Sequence, residues 1–236
     1  MSMQHQIFQL QRETTPGTPL ITAMRIYDGL RMTPGTGNQG AQSYSPSGTR
    51  GTSTRIKGDD YGQHAVELTP DFNALLPVLA SIFGLPTTTT PDATNAPTAR
   101  QHVFTLMGRG SRNPVTFTAQ WGLGSAAIQF AYFLFNTLTM GAQRSELTFE
   151  TSAFSRDGDE TITLATSGVT TVESVPIDPT QYDVFSDNTW AGLGVTKLLD
   201  CHEGVVSIGE TWGRSSPLNS AIVSFAKALE NEEVEY

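Results

Sequence analysis

Cysteine is nearly absent: Cys201 is the only one in 236 residues. That excludes an intramolecular disulfide, so the fold does not depend on an oxidising compartment. Charge is also scarce, at 16% of residues, while Thr, Ser, Gly and Pro are plentiful. This composition disfavours a coiled coil or helical bundle and suits strands joined by many turns. No Asn-x-Ser/Thr sequon occurs. No stretch approaches the roughly 18 apolar residues of a membrane helix, and the first residues lack a signal-peptide apolar run. A cytoplasm-like environment with no membrane partner is therefore expected.

Chemical motifs are missing as well. Gly35-Thr36-Gly37-Asn38-Gln39-Gly40 spells the dinucleotide-binding pattern, but that chemistry needs a strand before it and a helix whose N-terminus meets the pyrophosphate. Pro34 precedes it and no helical pattern follows, so it reads as a loop. Cys201-His202-Glu203 offers three ligand types in a row, yet neighbours on a strand point to opposite faces and cannot converge on one ion. His5, His64 and His102 add no ligand spacing. Asp157, Asp159 and Glu160 could attract calcium, although Asp-Gly between alternating apolar runs is first a hairpin signal. There is no nucleophile elbow, phosphate loop or His-Glu-x-x-His helix. Trp121, Trp190 and Trp212 read as core residues. No cofactor or metal and no catalytic residue is expected.

What the chain does contain is strand pattern. Residues 7–10 and 20–27 read as extended segments split by the turn Thr14-Thr15-Pro16-Gly17-Thr18-Pro19. Residues 31–62 shift to Gly, Ser, Thr and Pro without apolar period, which predicts a long polar loop. A helix is predicted from an N-cap at Thr69, with Pro70 and Asp71 in its first turn. Phe72, Leu75, Leu76, Leu79, Ile82 and Phe83 form its apolar stripe, Pro77 kinks it, and Gly84 and Pro86 end it. Residues 87–99 read as a second loop. Residues 115–121 (VTFTAQW) alternate, predicting one buried and one polar face. Residues 128–138 (IQFAYFLFNTL) are apolar at both phases, predicting a central strand covered on both sides. In 146–153, Leu147, Phe149 and Thr151 alternate with Glu146, Thr148 and Glu150. Arg156-Asp157-Gly158-Asp159 predicts a hairpin turn into 161–166, where Ile162 and Leu164 continue the buried face. Further strands are predicted at 182–185, 202–208 and 221–226. The sum is a mainly β chain, a sandwich or partly open barrel with one flanking helix.

Charge is unevenly placed. Residues 1–60 carry six Lys/Arg against four Asp/Glu, residues 61–145 four against three, and residues 146–236 four against sixteen. Arg50, Arg55 and Lys57 lie in the polar loop, while Glu230, Glu232, Glu233 and Glu235 crowd an acidic tail over 227–236. A mildly basic front and an acidic back suit copies meeting head to tail.

The order of features resembles one family. Glu13-Thr14-Thr15-Pro16-Gly17-Thr18-Pro19 is similar to the E-x-T-x-G-T opening of siphophage tail tube proteins. The polar segment 31–62 follows, then Asp71-Phe72-Asn73-Ala74-Leu75-Leu76 running into Ile82-Phe83-Gly84. Val115-Thr116-Phe117, the long apolar strand and Gly141-Ala142-Gln143-Arg144-Ser145-Glu146-Leu147 complete the order. Pro77 and residues 87–99 are not matched by it. The resemblance implies one tail-tube domain over 1–236, in a structural protein of the virion tail with no catalysis and no cofactor. It implies six copies closing into a ring, and rings stacked into a tube that conducts genomic DNA without specific binding. Tape measure, tail terminator and baseplate proteins would be its partners. In that setting Glu146, Thr148 and Glu150 would face the lumen, and 31–62 would join successive rings through Arg50, Arg55 and Lys57 against Glu230, Glu232, Glu233 and Glu235. The competing reading is a carbohydrate- or receptor-binding β-sandwich of a phage tail. A glycoside hydrolase would need two carboxylates about 5–9 Å apart in a cleft, and Glu146 and Glu150 alone do not define one.

Overall fold

The computed structural model describes residues 6–35, 38–39, 42–44, 54–56, 59–105, 114–124, 126–143, 146–179, 203–209, 212–215 and 227–230. Its elements are β1 (Ile7–Arg12), β2 (Arg25–Tyr27), β3 (Leu30–Thr33), β4 (Asn38–Gln39), β5 (Gln42–Tyr44), β6 (Thr54–Ile56), β7 (Asp59–Leu68), α1 (Phe72–Phe83), β8 (Thr87–Thr89), β9 (Gln101–Val103), β10 (Phe117–Leu123), β11 (Ala126–Gln143), β12 (Glu146–Arg156), β13 (Gly158–Ile162), β14 (Thr170–Val172), β15 (Glu203–Gly209), β16 (Trp212–Ser215) and β17 (Lys227–Glu230). The chain is mainly β, as expected. Its main sheet runs β14-β2-β1-β10-β11-β12-β7-β3 and curls into an open half-barrel. The predicted strands at 182–185 and 221–226 lie outside the described residues.

The spine is β11. Along one flank it pairs first with β10 (Leu123↔Ala126 to Phe117↔Phe133) and then with β15 (Thr137↔Gly209 to Gln143↔Glu203). Along the other it pairs first with β13 and then with β12. One extra residue enters β11 opposite Phe117/Ala119 and another opposite Ala153/Ser152. Such bulges change which face the following side chains take. Phe130, Phe133, Phe135 and Leu138 all reach one core, whereas Tyr132 and Leu134 join Tyr61, Phe154 and Trp212 in a second. Both faces are covered, as the doubly apolar run predicts, and the bulges account for spacings of three within it. Tyr132 sits at the first bulge with φ 55°.

The predicted hairpin turn at 156–159 is corrected. Leu134↔Phe154 and Phe130↔Gly158 lie on one register, so β12 and β13 run on along β11 in the same direction, with the pairing to β11 broken over residues 155–157. The Asp-Gly signal marks a point where the strand loses its other neighbour: β7 pairs as far as Tyr61↔Arg156 and no further. Gly158 is needed for a different reason, since a Cβ there would stand 2.7 Å from Ile128 Cγ2 and 2.8 Å from Phe130 Cε1.

The two-residue link Asp28-Gly29 carries the chain from β2, near one end of the sheet, to β3 at the other, which curls the sheet. Helix α1 packs into the concavity: Ala74, Val78 and Ile82 meet Phe8, Leu10, Leu30, Met32, Val66 and the β11 phenylalanines. The inward face is therefore not the full predicted stripe, and Phe72 is 57% exposed. The N-cap is Asp71, not Thr69. Its Oδ1 accepts from the Ala74 N–H at 2.8 Å, while Oδ2 accepts from Ser174 Oγ and the Val175 N–H. The helix thus starts two residues later than predicted, at a buried carboxylate that caps it and straps residues 174–175 to it. Pro77 lies inside the helix and is buried.

Residues 31–62 also differ from expectation. β3 pairs with β7, β4 with β7, and β5 with β6, and Leu30↔Leu68, Asn38↔Asp60 and Gln42↔Ile56 fall on a single register. The described pairs of this stretch are therefore those of an antiparallel hairpin arm, not of a loop. Backbone pairing needs no apolar period, so the pattern was invisible. The segment 87–99 begins in β8, which pairs with β9.

Candidate functional site

The residues expected to face a lumen lie on β12, within the β15–β11–β12–β7–β3 region of the sheet. Along β12, Leu147, Phe149 and Thr151 are buried, and Glu146, Thr148 and Glu150 are exposed. Directly paired residues of antiparallel strands share a face, so the register extends this one in both directions. One row reads Glu203–Gln143–Glu146, the next Val205–Gly141–Thr148, and the third Ser207–Thr139–Glu150–Glu67–Arg31. Thr139 and Ser207 hydroxyls lie 3.2 Å apart, which fits a shared face. Glu67 and Arg31 are exposed, as are Glu203 and Val205, the last at 72%. Gly141, Gln143, Glu146, Thr148, Glu203 and Val205 line a shallow groove of about 400 Å³. A Cβ on Gly141 would stand 2.6 Å from Thr148 Oγ1, so any larger residue there would push the Thr148 hydroxyl aside.

The result is a sheet face of hydroxyls and amides with four carboxylates (Glu67, Glu146, Glu150, Glu203) and one guanidinium (Arg31). The three residues predicted for this face are brought together. Glu67, Glu203 and Arg31 were missed, although the period-two alternation Ala65-Val66-Glu67-Leu68 carries the signal for the first. Of the residues expected at a junction between copies, Arg55 lies on β6 and Glu230 on β17. Arg50, Lys57, Glu232, Glu233 and Glu235 lie outside the described residues.

The rival chemistries find little geometry. Asn38 and Gln39 within the glycine pattern form strand β4, not the start of a helix. Cys201 and His202 lie outside the described residues. Among those described, no group of three His, Cys, Asp or Glu side chains converges. Asp159 instead binds its own turn: Oδ1 accepts from Thr161 N–H at 2.9 Å and Oγ1 at 2.6 Å, bonds that hold its carboxyl below the usual range. Trp121 is half-buried against the first core and Trp212 buried in the second, while Trp190 lies outside the described residues. The carbohydrate reading would need such rings exposed as platforms.

The family-like opening has a structural role. Glu13 is buried, and its carboxylate accepts from the Gly17 N–H (2.6 Å), Thr116 Oγ1 (2.7 Å), Thr118 Oγ1 (3.2 Å) and the Tyr132 N–H (3.0 Å). Gly17, at φ 79°, leaves no room for a Cβ beneath the Arg156 guanidinium, which donates to its carbonyl at 3.2 Å. Thr116 and Thr118 are buried at this carboxylate and Gln120 is buried against Gln9, so the predicted polar face of this strand is not turned to solvent. No protein-family model matches the chain, and no curated protein matches it.

Proposed function

We propose that this chain is a structural subunit of a phage tail tube, with no catalytic role, whose copies close into rings, six to a ring as the family resemblance implies, and stack through the hairpin arm. The observation that carries the reading is the broad sheet face of carboxylates and hydroxyls backed by an apolar core. A surface with four carboxylates and one guanidinium repels phosphate, so DNA passes it without the counterion-release binding of a basic groove. A long arm with little apolar sequence gains its value when a second copy receives it. The tube would stand in the virion tail, ending on terminator and baseplate proteins and enclosing a tape measure protein.

Negative-stain electron microscopy of the purified chain tests this. Hollow tubes of uniform width are the expected result. A stable monomer or small oligomer that binds glycans would instead establish the carbohydrate-binding alternative.

A further inference from the structure

His64 occupies the root of the arm, where the hairpin leaves the sheet. It is 2% exposed, on the core face of β7, stacked on Phe133 (ring centroids 5.3 Å) and edge-on to Phe130 (4.5 Å). Both ring nitrogens are engaged. The Gly35 N–H donates to Nδ1 at 3.3 Å, and Nε2 lies 2.8 Å from Ser155 Oγ. Ser155 Oγ in turn donates to the Arg156 carbonyl at 2.7 Å. Since Nδ1 accepts and Ser155 spends its proton on Arg156, the bonding admits one neutral tautomer, with the hydrogen on Nε2.

Two glycines make room for this arrangement. A Cβ on Gly35 would stand 1.9 Å from the Gln63 carbonyl oxygen, and one on Gly62 would stand 2.5 Å from His64 Nε2. Gly35 follows the end of β3 by two residues on the way into the arm, and Gly62 lies on β7, the strand returning from it. The ring therefore ties the outgoing strand to β12 across the returning one.

We infer that neutral His64 is a pin that fixes the arm to the sheet at its root, and that protonating the ring releases the Gly35 end of the arm. A protonated Nδ1 carries a hydrogen and cannot accept from Gly35. The groups packed on the ring from β11 are Phe130 and Phe133, from β12 Ser155, and from the β3 side the Gly35 amide; none carries charge. Tyr61 and Arg156 pair with each other in register, and Tyr61 belongs to the second core on the opposite face. Burial alone pushes the imidazole down to about 4, so the pin is closed at neutral pH and opens in acid. The inference concerns the single subunit and stands whether or not the chain forms tubes.

Hydrogen exchange by NMR on the full chain, expressed as protection factors, tests it. Between pH 7 and pH 3.5 the Gly35 amide should lose at least tenfold protection while the β11 amides keep theirs. His64→Phe, which keeps the aromatic packing, should produce the same loss at pH 7 and abolish the pH dependence. Gly35 protection that ignores both the titration of His64 and the substitution would overturn the pin. The wild-type titration decides the matter even if the variant fails to fold.

Discussion

A buried carboxylate just past the end of β1 ties three parts of the chain together. Glu13 accepts four hydrogen bonds that join the 14–17 turn, strand β10 and the Tyr132 bulge. Charge-assisted bonds of this kind are about twice as strong as neutral ones. Glu13→Gln keeps the shape but turns an NH₂ group toward donors, so a loss of about 2–4 kcal/mol is expected, read from urea unfolding. A loss under about 1 kcal/mol would mean that the turn holds itself. His64 gives the complementary pH effect. Its folded pKa, about 4, lies below the ordinary 6.5, so the unfolded chain binds the proton first. The contribution is complete above pH 6.5 and is lost as pH falls from there through about 4, amounting to about 3 kcal/mol. Urea midpoints taken at pH 7, 5.5 and 4 should show that fall in wild type and much less of it in His64→Phe.

At the scale of elements, the sequence was informative wherever one face is buried and the other wet. The alternation of Glu146 to Thr151 assigns each of those six side chains to the face it takes, because burial imposes period two directly on the residue types. Three features escaped for separate reasons. Asp157-Gly158 has the local chemistry of a turn, but the long-range register with Phe130 and Leu134 keeps the strand running. Thr69 has good capping chemistry, yet Asp71 reaches the Ala74 amide and also anchors residues 174–175, partners a local window does not contain. Residues 31–62 are polar in sequence and lack an apolar period, so nothing in their composition distinguishes a paired hairpin from a loop. The arm's continuous register predicts that replacing residues 36–57 by a two-residue turn leaves the core intact, because every pairing from Leu30↔Leu68 to Thr33↔Ala65 survives. The shortened chain should unfold with an unchanged midpoint and fail to form tubes in the electron microscope. Tubes of normal length from it would remove the arm from assembly.

For the whole molecule, the acidic sheet face carries a cost that packing does not explain. Glu150 stands directly opposite Glu67, and like charges in that relation destabilise a sheet. The neighbouring Thr139 and Arg31 complete the row without separating the two carboxylates. Both are exposed, so water and salt screen most of the repulsion. Glu150→Lys should therefore stabilise the subunit modestly, on the order of 0.5 kcal/mol, by turning repulsion into attraction across the same pair. If the face lines a channel for DNA, the same change places a cation beside the passing phosphates once in every subunit of every ring. Each contact adds a counterion-release term, so repetition turns a small local attraction into drag. The paired variant Glu146→Lys/Glu150→Lys should assemble normally, resist urea at least as well as wild type, and release DNA more slowly, most visibly at low salt. Stability and function would then move in opposite directions, which is the signature of a carboxylate kept for what passes over it. A variant that is more stable and ejects DNA at the wild-type rate at every salt concentration would place this face on the outside of the tube.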